Sequence, residues 1–178
     1  MADVAHEAES LAQNEAIWRY MKDSTPRPVT STEAMASSAV ALSFDDEFGM
    51  IVVISETGDT ERFVAKYRPR IPVLIVTDQP YIYRQAVFRK GLRPMLVDSF
   101  GATLADKGAS FMGDLKAMRR KSSMGGQQLK VNTVLQSACR EGKELSLVKP
   151  GDKVIAIYDS DLSDGVEEAT TLRVITVE

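Results

Sequence analysis

Short apolar runs alternate with helical patterns along most of this chain. The runs are rich in β-branched residues and have the length of buried strands, whereas the segments between them show the 3.6-residue spacing of amphipathic helices. This alternation is typical of a doubly wound, largely parallel sheet. The predicted strands are Met50–Ile54, Val73–Thr77, Met95–Val97, Lys153–Tyr158 and Leu172–Val177. We therefore predict an α/β fold with three layers (α/β/α) and an open sheet of five strands.

The predicted helices occupy most of the remaining chain. A capping box, with Thr30 three residues before Glu33, marks the start of one of them. Asp78 is a candidate N-cap for another, and Gly91 stands where a left-handed residue closes it. The predicted helices are Asp3–Asp23, a segment from Thr30 to about Phe44, Asp59–Tyr67, Pro80–Lys90, and a charged stretch from Ala102 to Arg140 that Gly125-Gly126 interrupts.

The last two predicted strands form a pair. An acidic loop from Asp159 to Thr170 joins them, which favours a terminal hairpin with the last strand antiparallel and at an edge of the sheet. An apolar edge strand exposes unpaired backbone groups unless another element covers it. Either this edge pairs with a second copy of the chain, or it is short and remains solvated.

The turn after the first predicted strand has the clearest potential for binding. Ser55, Thr57 and Thr60 supply hydroxyl groups, and Gly58 permits a tight turn directly before a helix. Backbone N–H groups at a helix N-terminus, together with hydroxyl groups, suit an anion such as phosphate. The alternative is a capped helix start without any ligand, in which Asp59 interacts favourably with the helix dipole.

Composition narrows the class of protein. The chain has 178 residues, a net charge of -3 and one cysteine, Cys139. This length permits one good core, and the charge argues against a general nucleic-acid or anionic-membrane binder. The chain contains no apolar run of the roughly 20 residues that a membrane-spanning helix needs. A lone cysteine excludes a disulfide framework within the chain and fits a reducing compartment, so we expect a cytoplasmic protein.

Other candidate chemistry is weak. His6 is the only histidine, and Cys139 has no histidine partner in the sequence, so a packed side chain is favoured over a nucleophile. The acidic groups at residues 45–47 and 159–161 lack the spacing of a calcium-binding loop. We predict no catalytic residue and no metal ligand in this chain.

Taken in order, these segments resemble the C-terminal domain of pyruvate kinase. The resemblance covers about residues 4–178 and depends on the ordered series rather than on any single motif. Its most specific part is the Tyr67-Arg68-Pro69 run before an apolar strand. The other segments on which the resemblance depends are Ala8–Ser10, Thr32–Ala34, Ser37–Val40, Ile51–Thr60, Val64–Arg70, Arg84-Gln85, Arg89–Pro94 and Lys149–Val154.

The resemblance implies a regulatory role. In that family this domain is a five-stranded sheet with the last strand antiparallel, and it binds effectors and forms one subunit contact of a homotetramer. Catalysis takes place in a separate TIM barrel, which holds the magnesium and potassium ions. We therefore expect residues 1–178 to form a single domain, with residues 1–25 as a leading helix linked to a barrel and residues 30–178 as the wound sheet. A barrel needs roughly 200 residues or more, so this chain has no room for one.

The expected function is subunit assembly and allosteric control of phosphoryl transfer from phosphoenolpyruvate to ADP. The expected partners are the catalytic barrel, a second copy of the chain through the C-terminal edge strand, and a small phosphorylated effector. The alternative is a stand-alone α/β module that binds a small phosphorylated metabolite. A relative without any ligand is a third interpretation.

The resemblance also exposes a departure at the turn. The family's turn reads like Thr-Lys-Ser-Gly-Arg-Ser and clamps a sugar phosphate. Here both cationic positions carry carboxylates, Glu56 and Asp59, while the hydroxyls and Gly58 remain. The acidic loop after the fourth strand also lacks the Trp and Arg of members that bind fructose bisphosphate. A monophosphate effector at Ser55, Thr57, Gly58 and Thr60 is therefore favoured over the bisphosphate, and a capped helix start without any ligand is favoured over both.

Overall fold

A computed structural model describes residues 14–97, 124–160 and 169–178. Its helices are α1 (Asn14–Ser24), α2 (Ser31–Asp45), α3 (Asp59–Lys66), α4 (Pro80–Val87) and α5 (Met124–Glu144). Its strands are β1 (Phe48–Ile54), β2 (Val73–Thr77), β3 (Leu92–Leu96), β4 (Lys153–Ser160) and β5 (Ala169–Thr176). In the part of the chain that the structure describes, no helix is long and apolar enough to span a membrane.

The strands form one sheet in the order β3-β2-β1-β4-β5. The pairs among β1, β2, β3 and β4 are parallel, and only β4 and β5 run antiparallel. At the centre, Ile51 of β1 lies opposite Val73 of β2 and Ile155 of β4. The predicted five-stranded, mostly parallel sheet with an antiparallel last strand is confirmed.

Alternate residues of the central strands face two separate cores. Ile51 and Val53 point to the side covered by α2 and α3, where they pack with Val40 and Val64. Met50 and Val52 point to the opposite side, which α5 covers. A β-carbon on Gly142 of α5 would lie 2.7 Å from Cε of Met50, so the absence of a side chain lets this helix approach β1 closely. Helices on both faces produce the predicted three layers.

Several predicted boundaries were wrong. The prediction placed the third strand at Met95–Val97, whereas β3 begins at Leu92 and contains Arg93 and Pro94. Proline is tolerated here because β3 is the outermost of the described strands, where a missing N–H need not break a ladder. The described helix α5 begins at Met124 and includes Gly125 and Gly126. Residues 102–123 of the predicted helical stretch lie outside the described residues, so the predicted interruption at the two glycines stays a prediction.

The helix caps also differ in part from prediction. Thr30 is the N-cap of α2 and its Oγ1 accepts from the Glu33 N–H at 3.2 Å, as predicted. The N-cap of α4 is Gln79 and not Asp78, whose carboxylate instead accepts from the Gln79 side chain at 3.0 Å. Gly91 has a φ of +79°, which fits its predicted left-handed conformation.

Candidate functional site

The turn after β1 is held together by Ser55. This serine is buried, its N–H donates to the Val76 carbonyl at 3.0 Å, and its Oγ accepts from the Gly58 N–H at 3.0 Å. Gly58 is the N-cap residue of α3 and has a φ of +92°, in the left-handed region where only glycine is unstrained. The sequence therefore forms a tight turn in which the Ser55 hydroxyl is already hydrogen-bonded to the backbone.

The four predicted site residues lie together, but they do not all face solvent. Thr60 is fully buried in the first turn of α3, and Ser55 is 1% exposed. Thr57 is exposed, and Gly58 is half-buried. A ligand at this turn therefore meets the Thr57 side chain and the backbone, while the hydroxyls of Ser55 and Thr60 point into the protein.

The exposed charges of the turn are negative. Glu56 and Asp59 are both exposed, and the Asp59 carboxylate pairs with Arg62 at 3.0 Å. Because this pair is more than half exposed, it stabilises the turn only slightly. The two carboxylates disfavour an approaching anion.

Sequence reasoning missed a buried carboxylate beside the turn, that of Glu61. Its side chain is 1% exposed, and its Oε1 lies 3.1 Å from the position that a β-carbon on Gly58 would take. Its only described cationic partner is Arg89, whose Nη1 lies 3.8 Å from Oε1. The sequence did contain a sign that Glu61 is buried. It lies three residues before Val64 in the helix, and this spacing places both residues on the core-facing side.

A second buried carboxylate, that of Glu33, joins three helices. It accepts from Lys66 Nζ at 2.6 Å and from the Tyr67 hydroxyl at 3.2 Å, and the same Lys66 Nζ donates to Thr25 Oγ1 at 2.9 Å. The carboxylate therefore does not return to the Thr30 N–H, and the reciprocal half of the predicted capping box is not formed. This network connects the end of α1 with α2 and the end of α3, so its role is structural.

The other residues considered from the sequence, the acidic groups and Cys139, are not arranged for catalysis where the structure describes them. Asp46 pairs with Lys153, and the hydrogen bonds from Lys153 and from the Glu47 N–H lower the pKa of this carboxyl group. Burial raises the pKa of the Cys139 thiol, which agrees with a packed side chain. Among residues 14–97, 124–160 and 169–178, no group of three or more His, Cys, Asp or Glu could hold a metal ion. His6 and residues 161–168 of the acidic loop lie outside the described residues.

A cleft of about 630 Å³ lies between α5 and β5. Its basic residues include Arg140, Lys143 and Arg173. Arg173 donates to the Asn132 side chain at 2.8 Å, and Lys143 Nζ donates to the Glu178 carbonyl. The cleft is lined on one side by residues 173–178, most of which belong to β5, the last strand in the sheet order.

Three comparisons with known proteins agree. A profile of the family described as "Pyruvate kinase, alpha/beta domain" matches residues 33–175. The pyruvate kinase of Lachancea kluyveri is 29% identical over 177 residues, which is 99% of this chain and 30% of that protein. The cytosolic isozyme of pyruvate kinase from Glycine max is 32% identical over 164 residues, 89% of this chain and 29% of that protein.

Solved structures show the same fold. Cryptosporidium parvum pyruvate kinase in complex with ADP superposes with a TM-score of 0.76 at 23% identity, over 96% of this chain and 28% of that chain. A second pyruvate kinase structure from the same organism gives a TM-score of 0.70 at 24% identity. The chain thus spans about 30% of the length of the relatives it matches.

Proposed function

The chain belongs to the pyruvate kinase family, in which it corresponds to the α/β domain, and we propose that it assembles and regulates the enzyme without carrying out chemistry itself. The parent activity would be the glycolytic transfer of phosphate from phosphoenolpyruvate to ADP. In this proposal the catalytic barrel is a separate part of the enzyme, and the magnesium and potassium ions belong to that barrel. The relatives that support the proposal include isozymes named as cytosolic, and we place this chain in the cytoplasm on the same grounds.

The observation that carries the assembly role is the outer edge of β5. This strand pairs with β4 on one side, and no described strand covers its other side. The Val177 N–H donates to the carbonyl of Asp152, which lies directly before β4, so this N–H points towards β4. Successive N–H groups of a strand point to alternate sides, and the N–H of Val174, three residues earlier, therefore points to the open edge. Val174 is also 45% exposed. An apolar open edge favours pairing with the same strand of a second copy across a twofold axis.

Regulation in this proposal is a shift between subunit arrangements. A ligand or an interface that favours one arrangement biases the distant barrel by its difference in affinity for the two states. The turn at Ser55, Thr57, Gly58 and Thr60 is the place we propose for a small phosphorylated effector. Because Ser55 and Thr60 are buried, we assign the contact to the Thr57 hydroxyl and to backbone N–H groups at the start of α3.

The division of roles gives a direct prediction. The purified chain is expected to produce no pyruvate above the blank, because none of the described residues forms a catalytic constellation and catalysis is assigned to the barrel. The measurement is a coupled assay with phosphoenolpyruvate, ADP, magnesium and potassium, in which pyruvate is reduced by lactate dehydrogenase. A pyruvate kinase added to the same mixture is the positive control. Turnover by this chain alone would contradict the proposal.

A further inference from the structure

A groove of about 740 Å³ lies between Lys22 near the end of α1, Val29 in the segment that follows, and Ser37 in α2. We call it the α1–α2 groove. Pro28, Val29 and Ala34 give it apolar walls, and a few hydroxyl and cationic groups complete its lining. This volume and this mixture are typical of pockets that bind small molecules, in which a few polar groups orient a mostly apolar ligand.

The hydroxyl groups of the α1–α2 groove are nearly all used within the fold. Four hydroxyl-bearing residues are among the described residues that line it. Three of them donate to nearby groups of the chain: Thr25 to the Met21 carbonyl at 2.6 Å, Ser38 to the Ala34 carbonyl at 2.9 Å, and Tyr67 to the Glu33 carboxylate at 3.2 Å. The fourth hydroxyl, that of Ser37, is therefore the donor that a ligand could use.

The Ser37 side chain is buried without a partner. The residue is 7% exposed, and its Oγ forms no hydrogen bond with any described residue. Its carbonyl is used separately, because it accepts from Trp18 Nε1 at 3.1 Å and so joins α2 to α1. An unsatisfied buried hydroxyl is costly, and its hydrogen can rotate to meet an acceptor. An oxygen atom of a ligand in the groove would remove this cost.

The charged groups of the α1–α2 groove are cationic. Lys22 and Arg27 line it, and none of the described lining residues is acidic. Arg27 is exposed and forms no ion pair with a described residue, and the Lys22 Nζ lies 4.7 Å from the centroid of the Trp18 ring. The nearby Glu33 carboxylate is already paired with Lys66 at 2.6 Å. The charge of the lining residues therefore favours an anionic ligand.

We infer that the α1–α2 groove binds a small carboxylate with an apolar body. One carboxylate oxygen accepts from the Ser37 hydroxyl, Arg27 pairs with the charge, and the apolar body covers Val29. A phosphate group fits less well, because its several oxygens would leave water for apolar walls that offer a single unused hydroxyl. This inference goes beyond the proposed function, and it depends neither on the turn after β1 nor on the edge of β5.

The test is a titration of the 178-residue chain with isocaproate, monitored by the amide chemical shifts of residues 25–38. Acetate keeps the charge without the apolar body, and we expect it to bind at least about tenfold more weakly. Isocaproamide keeps the body without the charge, and we expect it to bind about threefold more weakly or worse. Saturable shifts at residues 25–38 are expected with isocaproate.

Two neighbouring serines provide a matched pair of variants. Ser37→Ala is expected to raise the Kd for isocaproate about tenfold, the worth of one charge-assisted hydrogen bond. Ser38→Ala is the control, because Ser38 lines the same groove but already donates to the Ala34 carbonyl, and we expect its Kd to stay within about twofold. Both variants are expected to fold, since alanine is favoured in a helix. Arg27→Gln is expected to raise the Kd about threefold, because solvent screens an exposed charge pair.

Three results would overturn the inference. Equal Kd values for Ser37→Ala and Ser38→Ala would remove the role of Ser37, and isocaproamide that binds as tightly as isocaproate would remove the carboxylate. Shifts of residues 25–38 that depend on the concentration of the chain alone, or that are absent with isocaproate, would show that the groove is not a site for this ligand. A chain that self-associates but does not bind isocaproate contradicts this inference and leaves the proposed function unaffected.

Discussion

Arg89→Met is expected to lower the free energy of unfolding by about 3–5 kcal/mol, the range for removing one partner of a buried ion pair. The reason is that the Glu61 carboxylate, at 1% exposure, loses its only described counter-ion and is left buried without a partner. The Arg89 side chain as a whole is 27% exposed, so its own burial adds little to the loss. Urea unfolding followed by circular dichroism measures the change.

Two variants control this prediction. Arg84→Met makes the same substitution at an exposed position of α4, and we expect a change within about 0.5 kcal/mol. Glu61→Ala/Arg89→Met removes the buried charge together with its partner, and is expected to recover most of the loss. If Arg89→Met and Arg84→Met unfold at the same urea concentration, then Glu61 does not depend on Arg89.

Val174→Lys is expected to weaken self-association about a hundredfold or more, because a lysine at a paired edge must be desolvated against the other copy. Val174 is 45% exposed in the single chain, so the lysine meets solvent there and the fold is expected to persist. Sedimentation equilibrium over a concentration series measures the dissociation constant.

Val174→Thr is the matched control for this variant, since threonine is also β-branched and carries no charge. We expect its dissociation constant to remain within about threefold of the wild type. If the lysine variant associates as tightly as the threonine variant, the association uses a different surface.

The sheet could be predicted from the sequence because periodicity and burial agree there. β2 has the predicted bounds, Val73–Thr77, and all of its residues are buried between two cores, which is why it reads as an unbroken apolar run. β3 was harder to predict. It is an outer strand with exposed Arg93 and with Pro94 in its middle, so neither alternation nor a continuous apolar run marks its start.

The site was less predictable because its decisive features are tertiary. The turn was evident from Ser55 and Gly58, but the sequence could not show that Ser55 Oγ is used by the Gly58 N–H. Likewise Glu61 is close in sequence to two exposed acidic residues, and only the helix packing buries it against Arg89, which is 28 positions away. Residue type gave the chemistry of the turn, and packing decided which groups remain available.

The partners of Glu33 show the same limit. Its place in a Thr-x-x-Glu pattern predicted a local hydrogen bond, but its carboxylate binds Lys66 and Tyr67 from a different helix. A buried ion pair with a second hydrogen bond competes successfully with a solvent-exposed local cap. Local pattern fixed where α2 begins, and long-range contact determined what the side chain does.

The most direct test of the assembly role is sedimentation equilibrium of the unmodified chain at increasing concentration, near neutral pH and moderate salt. If β5 is an interface, the weight-average mass is expected to rise from that of one 19.6 kDa chain towards that of a pair. A mass that stays at the single-chain value up to the highest soluble concentration would contradict the claim that this domain brings subunits together.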